Sequence, residues 1–332
     1  MKYIRQIVSF AVLLGAIALP SSAQSSFARS STAPYNPEVS GAAMPDSGSD
    51  GRDPLVTIKK RVDEVNLLFI ATDKHGKFVR NLNQRDFSIL DDHKPPESIL
   101  AFQRQTDLPL EIGLLVDVSG SVKSRFDFEQ EAAIGFLQHV LRPAFDKAFV
   151  LGFNQHGQLA QDFTDNVALL SVGVHRLQNG GGTALYDAIY KACRDKLLKD
   201  TSERPVRKAL VILSDGEDNQ SEVSEAQAIG MAERAGVLIY AISTDDSGLV
   251  LRGDNILSQL AEATGGRAFF PFKMKDITHS FSAIEDELRS QYIVSYKPSD
   301  FNPDGHYRRI EITATNKDVQ IRARRGYYSP SR

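Results

Sequence analysis

The chain of 332 residues has one cysteine and no excess of basic charge, and each shortage narrows what it can be. Cys193 has no partner for an internal disulfide, so the folded chain must rest on its apolar core. It stands in Tyr190-Lys191-Ala192-Cys193, a stretch of helical character, where a small buried thiol is expected. The seven histidines are scattered, and none has a Cys or His partner at zinc-site spacing. With 39 basic against 42 acidic residues the net charge is −3, whereas a nucleic-acid binder would show a basic surplus. No Gly-x-Ser-x-Gly elbow and no His-Glu-x-x-His pair occurs, and Gly180-Gly181-Gly182 is not followed by the lysine of a phosphate loop.

What is present begins at the N-terminus. Lys2 and Arg5 precede an apolar run over 7–19, and small residues follow up to Ala23. This pattern predicts a secretory signal peptide over 1–23, cleaved before Gln24. The run is shorter than the roughly 20 residues that span a bilayer, so no stable membrane span is expected after cleavage. No cysteine lies near that point to carry a lipid anchor. The protein is therefore expected to be exported, to the periplasm or the exterior. Residues 24–53 are rich in Ser, Ala, Pro and Gly, a composition that predicts a disordered linker.

From 54 to 107 the pattern is β-rich. Val65, Leu67, Phe69 and Ala71 mark a strand, Asp73-Lys74-His75-Gly76-Lys77 a turn, and Phe87, Ile89 and Leu90 a second strand. From 108 to 290, buried strands alternate with helices. Ile112-Gly113-Leu114-Leu115-Val116 is continuously apolar, and Ala133, Phe136, Leu137, Val140 and Leu141 then repeat at helical spacing. Further apolar strands are expected at 148–153, 209–213, 237–242 and 268–270, with helices at 184–198, 226–235 and 256–263. This predicts an α/β fold with a doubly wound, mostly parallel sheet covered on both faces. Residues 291–332 return to β alternation and are expected to pack with 54–107, because neither flank buries its apolar face alone.

Three loops carry chemistry. Asp117-Val118-Ser119-Gly120-Ser121 follows one buried strand, Ser214-Asp215-Gly216-Glu217-Asp218 follows another, and Gly180-Gly181-Gly182-Thr183 precedes a helix. In open α/β sheets, ligands sit beyond the carboxyl ends of the strands. Singly, each loop is an ordinary turn or helix cap, because Asp, Ser and Gly favour both. Together and in this order, the three resemble the metal-ion-dependent adhesion site of von Willebrand factor A domains, over roughly 108–288. The flanks over 73–92 and 292–328, including Arg322-Ala323-Arg324-Arg325-Gly326-Tyr327-Tyr328, resemble those of an exported bacterial family related to that domain.

The resemblance implies a Rossmann-like fold in which Ser119 and Ser121 are direct ligands of Mg²⁺. Thr183 would bind directly or through water, and Asp117 and Asp215 would act nearby, often through water. Mn²⁺ and Ca²⁺ are alternatives. Mg²⁺ takes about six oxygens, and two carboxylates leave it incompletely neutralised. An open position would then attract an Asp or Glu from a partner protein. The implied function is metal-dependent adhesion rather than enzymatic turnover. A scaffold role in an envelope assembly is one alternative, and a metal-dependent hydrolase using Asp117 or Asp215 is another. Three features get plainer readings. Glu217 and Asp218 form an acidic turn rather than a second ion site, Arg252-Gly253-Asp254 a surface loop, and Arg322, Arg324 and Arg325 a solvated strand face.

Overall fold

Short apolar segments flanked by amphipathic ones form the strands and helices of three packed layers. The computed structural model describes residues 64–330 apart from 106–107, 123–124, 200–205, 246, 248, 250, 272, 274 and 275. The expected signal peptide, linker and residues 54–63 lie outside that range. Among the described residues, no helix is long and apolar enough to cross a membrane.

The elements are β1 (Val65–Asp73), β2 (Phe87–Asp91), β3 (Ser98–Gln105), β4 (Leu110–Asp117), α1 (Phe126–Val140), β5 (Lys147–Phe153), β6 (Gly157–Thr164), α2 (Val167–His175) and α3 (Leu185–Ala192). They continue with β7 (Arg207–Ser214), α4 (Glu225–Ala235), β8 (Val237–Ser243), α5 (Arg252–Thr264), β9 (Arg267–Phe269) and α6 (Asp276–Leu288). The last strands are β10 (Gln291–Lys297), β11 (Tyr307–Ala314), β12 (Val319–Ala323) and β13 (Gly326–Tyr328).

The central sheet has the order β6-β5-β4-β7-β8-β9. All its pairings are parallel except that of β6 with β5. Every residue of β4 and β8 is buried, as apolar runs on both faces require. Ile112, Leu114 and Val116 face α1 and α6, while Leu115, Leu210 and Ile212 face α3, α4 and α5. Helix α3 continues into a wider π turn over Cys193–Leu197, and Cys193 is a buried free thiol whose pKa burial pushes up.

Helix ends follow local chemistry. Ser224 caps α4 through reciprocal bonds with Gln227, and Gly236 ends it in the left-handed region at φ 67°.

The flanks do pack together. One sheet has the order β12-β1-β10-β3 and another β13-β11-β2, so each sheet combines strands from both ends of the chain. Phe69 stacks on Tyr292 with ring centroids 5.3 Å apart, inside the core these sheets share. A polar clasp marks where the chain enters and leaves the central sheet. The buried Asp146 accepts from Leu110 N at 2.8 Å, Arg142 N at 2.8 Å and Arg289 Nη2 at 2.6 Å.

Four elements went unrecognised in the sequence, among them the three-residue β13. Strand β6 is an edge strand with no buried residue, so it carries no core stripe. Strand β3 is likewise an edge strand. Helix α2 is short and apolar all round, with Leu169 and Val172 exposed, so no helical face stands out.

Candidate metal centre

The site begins with strand order. Strands β4 and β7 are parallel neighbours, with Val116 beside Leu213, yet the chain leaves β4 for β5 on the other side. The crevice at this reversal opens beyond the ends of β4 and β7, where Asp117 and Ser214 emerge side by side. Ser214 Oγ donates to Asp117 Oδ2 at 2.6 Å and accepts from Gly216 N at 3.0 Å. Ser119 N donates to Asp117 Oδ1 at 2.8 Å. Both oxygens of Asp117 are thus held, and its exposure is 0%. Ser119 Oγ and Ser121 Oγ lie 3.0 Å apart, and Ser121 Oγ donates to Asp215 Oδ2 at 2.6 Å. Asp117, Ser119, Ser121 and Asp215 therefore form one bonded cluster, with a buried floor and an exposed rim at Ser121.

Thr183 reaches the cluster through its backbone. Gly120 N donates to Gly181 O at 3.1 Å, and Gly180 N donates to Val118 O at 2.7 Å, which docks the glycine loop on the first loop. Thr183 N donates to Asn219 Oδ1 at 3.0 Å, and Thr183 O accepts from Asn219 N at 3.0 Å, which ties it to the third loop. Among the described residues, no hydrogen bond joins the Thr183 hydroxyl to the other four side chains. Asparagines fasten the remaining seams: Asn154 Nδ2 donates to Gly180 O at 2.7 Å, and Asn179 Nδ2 to Ser119 O at 2.5 Å. Sequence reasoning placed Ser214 in the third loop without a role and missed Asn154, Asn179 and Asn219. Their only signal was asparagine and serine in loops, where they bond backbone groups.

The electrostatics suit a cation. Burial pushes Asp117 up to about 6, against the bonds from Ser214 and Ser119, and the charge of Asp215 raises it further. Two neighbouring carboxylates, one of them desolvated, destabilise each other until a positive charge arrives. Every side-chain donor is an oxygen, the set a hard divalent cation prefers. The residues present therefore fit Mg²⁺. Among the described residues no group of three or more His, Cys, Asp or Glu is placed to hold a metal. A centre that relies on hydroxyl oxygens falls outside that pattern.

The plainer features resolve in detail. Asp218 Oδ2 accepts from Tyr186 N at 3.0 Å and Ser221 Oγ at 2.6 Å, so this acidic turn ties loops together. Arg252-Gly253-Asp254 is not a surface loop: it is the first turn of α5, and both Gly253 and Asp254 are buried. A Cβ on Gly253 would lie 2.0 Å from Asp215 O, because α5 packs directly on the third loop. Arg322 pairs with Glu287, Arg325 with Glu262 at 2.8 Å, and Arg324 bonds Asn66 O at 3.0 Å, so the three arginines serve separate contacts. A cavity of about 550 Å³ lined by Pro109, Phe145, Lys147 and Val206 lies at the opposite, N-terminal ends of the strands.

Residues 111–287, more than half of the chain, match the family profile of the von Willebrand factor type A domain. No curated protein matches the chain in sequence. Among solved structures, proximal thread matrix protein 1 from the mussel byssus, with a zinc-occupied MIDAS motif, is similar at 15% identity and a TM-score of 0.47. That match covers 59% of this chain and 49% of the mussel protein, so the chain spans about half of that relative's length. A von Willebrand factor type A protein from Catenulispora acidiphila is similar at 14% identity and a TM-score of 0.47, over 76% of this chain and 74% of that one. The protein BatB from Bacteroides thetaiotaomicron is similar at 16% identity and a TM-score of 0.42, over 53% of this chain and 99% of that one.

Proposed function

The chain belongs to the von Willebrand factor type A domain family, and from that premise we propose that it is an exported binding module that grips a partner protein through Mg²⁺. Ser119, Ser121 and Thr183 would supply hydroxyl oxygens, Thr183 directly or through water, and Asp117 and Asp215 would act nearby, often through bound water. The bound ion supplies a positive charge with a coordination position open to an Asp or Glu carboxylate of the partner. The observation that carries this reading is the run of short bonds from Ser119 through Ser121 to Asp215, above the locked carboxylate of Asp117.

Each residue's part follows from its place. Asp117 is held at both oxygens, so its charge is fixed in position beneath the hydroxyls. Ser121 sits at the exposed rim, where a partner side chain can approach. The asparagine clamps keep the three loops in register without adding charge. Export is read from the segment 1–23, and the mature chain is expected to begin at Gln24.

Calorimetric titration of Mg²⁺ into the processed chain, beside its Asp117→Ala variant, tests the reading. Saturable binding in the parent and none in the variant supports it, and partner capture should then be abolished by chelator. Equal heats in parent and variant would remove Asp117 from the centre, and chelator-insensitive capture would sink the adhesion reading.

A further inference from the structure

The seam between helix α4 and the flanking sheets holds a small cavity with an acid and a base in its wall. Its volume is about 100 Å³, and Asn66, Leu68, Glu233, Val237, Thr264 and Arg324 are among the residues that line it. Glu233 lies in the last turn of α4 and is 7% exposed. Its Oε1 accepts from the Tyr307 hydroxyl of β11 at 3.1 Å, and its other oxygen makes no hydrogen bond among the described residues. Arg324 directly follows β12. Its Nη2 donates to Asn66 O at 3.0 Å, its guanidinium stands 5.6 Å from the centre of the Tyr327 ring, and its Nε has no hydrogen-bond partner among the described residues.

Opposite charges in a poorly solvated seam gain by closing on each other, because an unpaired buried charge is costly. These two stay apart. Among the described residues no ion pair or hydrogen bond joins Glu233 to Arg324, although the charge of Arg324 acts on Glu233 across the cavity. Each is held elsewhere: Glu233 by Tyr307, and Arg324 by Asn66 and the Tyr327 ring. The Tyr307 ring packs on Tyr328 at 5.2 Å, and Arg234 of α4 lies over the Tyr328 ring at 4.6 Å. The gap between the charges is therefore set by how the flanking strands dock on α4. The rest of the wall adds no charge, since Leu68 and Val237 are apolar and the Thr264 hydroxyl is committed to Ile239 N and Ala261 O.

We propose that this cavity is a binding site for a small zwitterion, an α-amino acid with little or no side chain such as glycine. The ligand's carboxylate accepts from the Arg324 guanidinium, and its ammonium donates to the free oxygen of Glu233. Both contacts are charge-assisted, and together they complete the pair that the fold holds open. The volume sets the size: it is several times what one water needs and well below the roughly 300–1,000 Å³ of pockets for larger ligands. Val237 opens β8, so the cavity lies at the opposite end of the sheet from the metal loops, and the proposal does not rest on the Mg²⁺ reading.

The test is calorimetric titration of glycine into the processed full chain in chelator at about pH 8. Burial raises the pKa of Glu233 to about 7, so its carboxylate is ionised under that condition. Acetate and methylammonium, each carrying one of the two charges, are titrated alongside. The expected result is saturable glycine binding at least tenfold tighter than that of either half-molecule. It should weaken at least tenfold in Glu233→Gln, which still offers Tyr307 an acceptor, and in Leu68→Phe, which fills the cavity without touching either charge. Thermal unfolding of the variants checks that both are folded. Absence of saturable glycine binding in the parent overturns the proposal, as does acetate binding as tightly as glycine, or an unchanged affinity in either folded variant.

Discussion

Gly253→Ala is the sharpest probe of how the third loop is held. A Cβ at this position would stand 2.0 Å from Asp215 O and 3.0 Å from Asp215 C, both backbone atoms. Ordinary contact begins near 3.4 Å, so α5 and the Asp215 loop must separate by about 1.4 Å. A flexible side chain would swing aside, but two backbone segments anchored in the core cannot do so cheaply. Overpacking of this kind costs about 1–3 kcal/mol. At about 2–4 °C per kcal/mol for a domain of this size, the melting temperature should fall by about 2–12 °C. Asp215 carries the carboxylate bonded by Ser121, so the same shift should weaken Mg²⁺ binding. The control is Gly236→Ala, where φ is 67° but a Cβ meets nothing within 4 Å. It should cost only the backbone strain of a left-handed residue, about 1–2 kcal/mol, and leave Mg²⁺ affinity unchanged. Thermal unfolding and Mg²⁺ calorimetry on both variants decide the matter. A Gly253→Ala protein with the parent's melting temperature and affinity would refute the close-packing account.

Other consequences are measurable. Ser214→Ala removes the donor to Asp117 Oδ2 and the acceptor of Gly216 N, both buried bonds, and should cost about 1–3 kcal/mol by chemical denaturation. Asp146→Ala should cost about 1–3 kcal/mol, because the Leu110 N–H loses its acceptor and Arg289, still bonded to Val140 O, loses its carboxylate; a denaturation midpoint equal to the parent's would show that the clasp is idle. Burial raises the pKa of Glu129 to about 8, so between about pH 4.5 and 8 the native state keeps a proton that the unfolded chain releases. Its contribution to stability is therefore greatest at low pH and is lost as pH rises through that window. The metal-free Glu129→Gln variant should show a flatter decline in stability over this range than the parent, and parallel curves would exclude the shift.

Much of this molecule is determined locally. Buried parallel strands must be apolar on both faces, so β4, β7 and β8 show in composition alone. The residues of the candidate centre are legible for another reason. Two of the three loops directly follow such strands, yet each alone reads as a turn or cap, and it is their resemblance in order to a known metal site that singles out Asp117, Ser119, Ser121, Thr183 and Asp215. What joins them is non-local. Ser214 meets Asp117 only because β7 lies beside β4, 97 residues apart along the chain. Asn154, Asn179 and Asn219 look like any loop asparagine until the three loops converge. Arg252-Gly253-Asp254 looks like a loop until α5 packs on Asp215 and needs a residue without a Cβ. Glu129 reads as one more acid near a helix start, and only the tertiary structure buries it. Local composition specifies which residues are suited to a strand, a cap or a ligand set. Strand order and loop docking, which pay their cost in long-range chain closure, decide which of them meet.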